Sequence, residues 1–135
     1  MKMSVLAALL VVPGFSQSIT CDTVDKCQEL LRNNGHSSLA HYRIAELYFQ
    51  QGSYQSAANE YREAIGGDLK PGWVEVWSHL SLGKIYDITK QRDRALNEYR
   101  LAVRTKDNTQ GAQDEAAKYI EAPYQLSTQG VSPAK

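Results

Sequence analysis

Ile44-Ala45-Glu46-Leu47-Tyr48 returns in altered form as Leu82-Gly83-Lys84-Ile85-Tyr86. The offset is 38 residues, and it persists along the chain. Ala57 lines up with Ala95, Tyr61 with Tyr99, Arg62 with Arg100 and Ala64 with Ala102, and His41 falls on His79. A self-match at this period marks stacked supersecondary units, each of which needs its neighbour to cover an apolar face. Such a chain is expected to be a binding scaffold rather than an enzyme.

The units are helical. Ile44, Leu47 and Tyr48 recur three or four apart, as one helix face requires, and Ala57, Tyr61, Ala64 and Ile65 do the same further on. Small residues at Ala45, Gly83, Ala57, Ala95, Ala64 and Ala102 leave room for close helix–helix approach, with Tyr61 and Tyr99 filling the gaps. Segments of roughly 12–15 residues are marginal helices alone, so packing must hold them. The expected fold is all-α, with about six helices in antiparallel pairs.

Within each unit, Leu/Ile-Gly/Ala-x-x-Tyr is followed by Ala, an aromatic four later and Ala three later. The residues are Ile44, Ala45, Tyr48, Ala57, Tyr61 and Ala64, then Leu82, Gly83, Tyr86, Ala95, Tyr99 and Ala102. This pattern resembles the tetratricopeptide repeat, twice over, across residues 38–107. Gly52-Ser53-Tyr54 resembles the turn inside a repeat. Three departures stand out. His41 and His79 occupy the place of an early Trp, Leu69 and Asp107 that of a closing Pro, and the spacing exceeds the family's ~34. The four extra residues fall in Gly66-Gly67-Asp68-Leu69-Lys70-Pro71-Gly72-Trp73. The glycines are expected to end one helix through a left-handed cap, and Pro71 to sit in the first turn of the next. That helix then starts about one turn early, projects beyond its neighbours and presents Trp73.

The ends read differently. Residues 1–16 carry Lys2, an apolar run over 5–12 and small residues at Gly14 and Ser16. The run is too short to span a bilayer and reads as a secretory signal peptide, cleaved near Ser16–Gln17 or Ser18–Ile19. A periplasmic or secreted location follows, without stable membrane insertion. In an oxidising compartment Cys21 and Cys27 are disulfide candidates at the start of an N-terminal helix within 21–35. A competing register places Cys27 at the inward aromatic position of a half repeat. Residues 108–122 read as a polar-backed capping helix stopped by Pro123, and 123–135 as a flexible tail.

Chemistry narrows the function. Fifteen basic and fifteen acidic residues balance, which argues against a nucleic-acid footprint. No catalytic constellation, metal-ligand spacing or phosphate loop occurs, so neither cofactor nor metal is expected. The repeat-equivalent histidines are read as structural. The family resemblance implies that the first helix of each repeat lines a concave groove. Its residues would be Leu39, Tyr42, Glu46, Phe49 and Gln50, then Trp77, Leu80, Lys84, Asp87 and Ile88. Tyr42 and Glu46 stand where chaperone-tail binders of this family carry basic or amide side chains, which argues against that ligand. The expected partner is another protein or peptide. The alternatives are a homodimer whose groove is filled by its own copy, and an accessory subunit of an envelope assembly or secretion machine.

Overall fold

The computed structural model describes residues 21–127. The expected signal peptide and residues 128–135 lie outside these. Six helices follow in order: α1 (Val24–Asn33), α2 (Ser38–Gln50), α3 (Tyr54–Ile65), α4 (Trp73–Ile88), α5 (Arg92–Arg104) and α6 (Ala112–Glu121). A single 3-10 turn, Thr109–Gly111, leads into α6, and no strand occurs among the described residues.

Local chemistry sets the boundaries. The Thr23 hydroxyl accepts from Lys26 N at 3.3 Å and starts α1. Ser37 does the same for α2, accepting from Ala40 N at 3.2 Å. The Asn108 carboxamide oxygen accepts from Gln113 N and opens α6. Ala122, extended before Pro123, closes it.

Consecutive helices pack against each other in turn, and α2 meets α4 while α4 meets α6. Helices α3 and α5 scarcely meet. The stack therefore closes on the α2–α4–α6 side and splays on the α3–α5 side, which makes the first face inner and the second outer. Helix α4 is covered from four directions. It buries residues all round, including Val74, Val76, Leu80, Leu82, Ile85 and Tyr86, and a helix apolar on every side belongs in a core.

The two repeats share their ties. His41 Nδ1 lies 2.7 Å from Glu60, and His79 Nδ1 lies 2.7 Å from Glu98. Each pair bolts the first helix of a repeat to its second, a structural use of both histidines. Gly83 faces Tyr99, whose ring lies where a Cβ would fall, 2.3 Å from Cε1.

The long connection after α3 departs from expectation in three ways. Gly66 caps α3 in right-handed conformation (φ −82°), and the positive φ belongs to Leu69. Gly67 is required for close approach instead: a Cβ there would sit 2.5 Å from Ser38 Oγ and 2.6 Å from His36 O. The loop interlocks with the start of α2. Asp68 N donates to His36 O, Leu69 N donates to Ser38 Oγ, and Ser38 N donates to the Asp68 carboxylate. Burial pushes the Asp68 carboxyl up, but the Ser38 and Lys70 amides and Asn34 outweigh it and hold it below the usual range. Helix α4 does start early, at Trp73, but Gly72 is its N-cap, so Pro71 lies before the helix and not in its first turn. Trp73 does not project, however. Its ring packs edge-on against Tyr42, centroids 5.3 Å apart.

At the other end Cys21 and Cys27 form a disulfide, Cα–Cα 4.9 Å. Cys27 is also fully buried against Ile44, with Val24, Leu30 and Leu31 around it. The bridge and the inward register therefore coexist. Residue 21 precedes the helix and folds back alongside it, so α1 packs on α2 as the second half of a repeat.

Candidate functional site

Helical periodicity sends Tyr42, Glu46, Phe49 and Gln50 of α2 toward Trp77 and Lys84 of α4. These six of the ten expected groove residues line one inner-face cleft of about 210 Å³. Tyr61 and Ser81 complete the lining. Ser81 is one helical turn from Trp77 and lies within reach of the same periodicity argument. Tyr61 comes from α3 and carries only a core signature in the sequence.

The aromatic side chains differ in role. Phe49 and Trp77 are half-buried. Phe49 stacks edge-on with Tyr54 at 5.4 Å. Trp77 donates its indole N–H to Thr109 O at 3.1 Å, which leaves its ring face toward the cleft. Tyr42 is 6% exposed. It forms the floor between Tyr61, Trp73 and the overlying Arg43 guanidinium, so it corrects the expectation of a contact residue. Burial, aided by the neighbouring Glu46 carboxylate, pushes its phenol well above the usual tyrosine range. The charges at the cleft are already partnered. Glu46 accepts from Arg43 at 2.6 Å, and Lys84 donates to Glu115 of α6 at 2.7 Å.

The second-repeat half of the expected groove is covered. Lys84 Nζ sits among three rings, 5.8 Å from Trp77, 5.4 Å from Tyr119 and 5.3 Å from Tyr124. Tyr119 belongs to α6. Tyr124 belongs to the segment after it, whose composition reads as free tail. Asp87 is the larger correction. Its side chain is 1% exposed. It accepts from Arg92 Nη1 through both oxygens at 3.0 Å, from Tyr99 Oη at 2.8 Å and from Tyr124 N at 2.8 Å. Arg92 in turn donates to the Tyr119 and Ile120 carbonyls at the end of α6. Asp87 thus ties α4 to α5, to α6 and to the segment beyond, and offers nothing to a partner. Ile88 lies with Asp87 in a separate cleft under Tyr124 and Leu126. Leu80 is fully buried in the central core, because α2 and α6 flank α4 on both sides of this face. Leu39 lies apart, half-buried in a cleft shared with Cys21 and Leu30.

No helix among the described residues is long and apolar enough to cross a membrane. A family model described as a tetratricopeptide repeat matches residues 39–68, which span α2, α3 and the interlocking loop. No curated protein matches the chain.

Proposed function

We propose that this chain, which carries a tetratricopeptide repeat in an all-α stack, is an exported scaffold that binds another protein or peptide through its inner face. The repeat family supports an interaction module. The single observation carrying the finer reading is the cleft in which Phe49 and Trp77 stay half-exposed around a rigid aromatic floor. Aromatic anchors of this kind concentrate binding energy. Because α6 and Tyr124 occupy the second-repeat half, the free surface is small. A contact at or below about 800 Å² per side and micromolar affinity are expected. Export rests on the apolar run over 5–12 and on the Cys21–Cys27 bridge, which suits an oxidising compartment.

The test is capture from envelope extract with the chain lacking its first sixteen residues, followed by affinity measurement with the captured protein. Phe49→Ala or Trp77→Ala should each weaken binding by more than about 1 kcal/mol, with unchanged circular dichroism. Affinity equal to the parent's in both variants refutes the cleft. Light scattering on the same material tests the homodimer alternative. Intact mass tests export, because a secreted product still bearing Met1 refutes the signal peptide.

A further inference from the structure

The splay between α3 and α5 leaves a cavity of about 610 Å³ on the outer face. A second cavity of about 330 Å³ continues along the same gap. The two share Arg62, Tyr86 and Arg94. These residues form a bar across the groove. Arg62 Nη2 donates to Tyr86 Oη at 2.6 Å, and Arg94 Nη2 donates to the same oxygen at 2.8 Å. The Arg94 guanidinium also stacks on the Tyr86 ring, 4.1 Å from its centroid.

Two guanidinium groups therefore converge on one neutral oxygen. Neither has a carboxylate within ion-pair distance among the described residues. Their remaining partners are neutral: Asn59 for Arg62 and Gln91 for Arg94. The bar belongs to one place in the chain. Arg62 repeats as Arg100, but the position equivalent to Arg94 is Ser56. It is thus a feature of this one inter-helix gap and not of the repeat itself.

Guanidinium groups favour paired recognition of oxyanions, and charge-assisted bonds outweigh neutral ones. The geometry points to a second binding site, in the outer α3–α5 groove, for a carboxylate of a partner peptide. The carboxylate displaces the Tyr86 hydroxyl between Arg62 and Arg94, and an adjacent apolar side chain rests on the half-buried Ile65. Asp93 and Glu98 also line this groove. They weigh against a dianionic phosphate and favour a monoanion.

The probes are short amidated peptides Leu-Glu-Leu and Leu-Gln-Leu, a free-acid Leu-Gln-Leu, and inorganic phosphate. Titrations are followed by two-dimensional NMR, including the arginine side-chain signals. The Glu peptide should shift Arg62 and Arg94 saturably, and the amidated Gln peptide should not. The free-acid peptide tells a chain-terminal carboxylate from a side-chain one; saturable shifts from either carboxylate support the site. Arg62→Gln and Arg94→Gln should each weaken binding about tenfold. Tyr86→Phe removes the competing oxygen, so it should bind more tightly than the parent. Its fold is checked by circular dichroism, with the two Gln variants as independent readouts. Absence of saturable shifts with both carboxylate peptides overturns the site. So does indifference to both Gln substitutions, or shifts confined to the inner cleft. Tighter binding of phosphate than of either peptide overturns the carboxylate assignment.

Discussion

Gly83→Ala sets two physical effects against each other, and the structure decides the sign. Gly83 lies in the interior of α4, where alanine is favoured over glycine by about 1 kcal/mol on helix propensity alone. A Cβ there would lie 2.3, 2.7 and 2.8 Å from three carbons of the Tyr99 ring. Tyr99 is fully buried, its hydroxyl donates to Asp87 at 2.8 Å, and its ring lies against Tyr119. It cannot swing aside without losing that bond, worth about 1.5–3 kcal/mol to a charged acceptor. If it stays, overpacking costs about 1–3 kcal/mol. The propensity gain is matched or outweighed, and a net loss of up to about 2 kcal/mol is expected. Urea unfolding followed by circular dichroism measures it. In a Tyr99→Leu background the same alanine should become neutral or stabilising, which isolates the clash as a coupling between neighbours. Gly83→Ala that stabilises the parent chain refutes the packing argument and the repeat register with it.

Two further outcomes follow from buried polar groups. Asp87→Asn breaks a bidentate pair with Arg92 and puts an amide before Tyr99 Oη and Tyr124 N. It should cost about 3–5 kcal/mol in urea unfolding, whereas a free groove residue would cost under about 0.5 kcal/mol. Burial raises the phenols of Tyr42, Tyr61 and Tyr99 far above their ordinary range. A raised folded pKa gives stability that is intact below pH ~10 and is lost as pH climbs past it, by up to about 1.4 kcal/mol per pH unit for each tyrosine. Urea midpoints should hold between about pH 8 and 9.5 and fall steeply by about pH 11; a flat profile would mean that these hydroxyls are solvated.

What the sequence makes legible is whatever depends on one element and its own period. The 38-residue offset puts Ala57/Ala95 and Tyr61/Tyr99 at the same packing positions in each unit, and all four are buried on α3 and α5. The inner-face stripe of α2 and α4 is also legible, and six of its ten residues meet in one cleft. The errors lie where a distant segment covers a face. Trp73 folds onto Tyr42 across the loop instead of projecting. Tyr124 descends on Asp87 from a stretch whose Ser, Thr, Gly and Pro content suggests tail. The roles of Asp87 and Leu80 reverse for the same reason. Periodicity states which way a side chain points, and the partner lying over it is a tertiary fact. The outer groove escapes a reading of the sequence because Arg62 and Arg94 come from different repeats and read singly as solvated charges.

The curvature that limits the inner face also creates the outer one. Convergence of α2, α4 and α6 leaves an inner cleft of about 210 Å³, while divergence of α3 and α5 opens cavities of about 610 and 330 Å³ on the opposite side. The two faces differ in chemistry as well as size. The inner cleft is aromatic with its charges paired, and the outer groove holds two arginines facing a neutral oxygen. Both tryptophans belong to the inner side, Trp77 in the cleft wall and Trp73 against its Tyr42 floor. A ligand in the inner cleft must therefore alter tryptophan emission, and a carboxylate seated between Arg62 and Arg94 must leave it unchanged while moving the arginine resonances. A single titration read by both signals assigns each ligand to its face, so failure of one site leaves the other open to its own test.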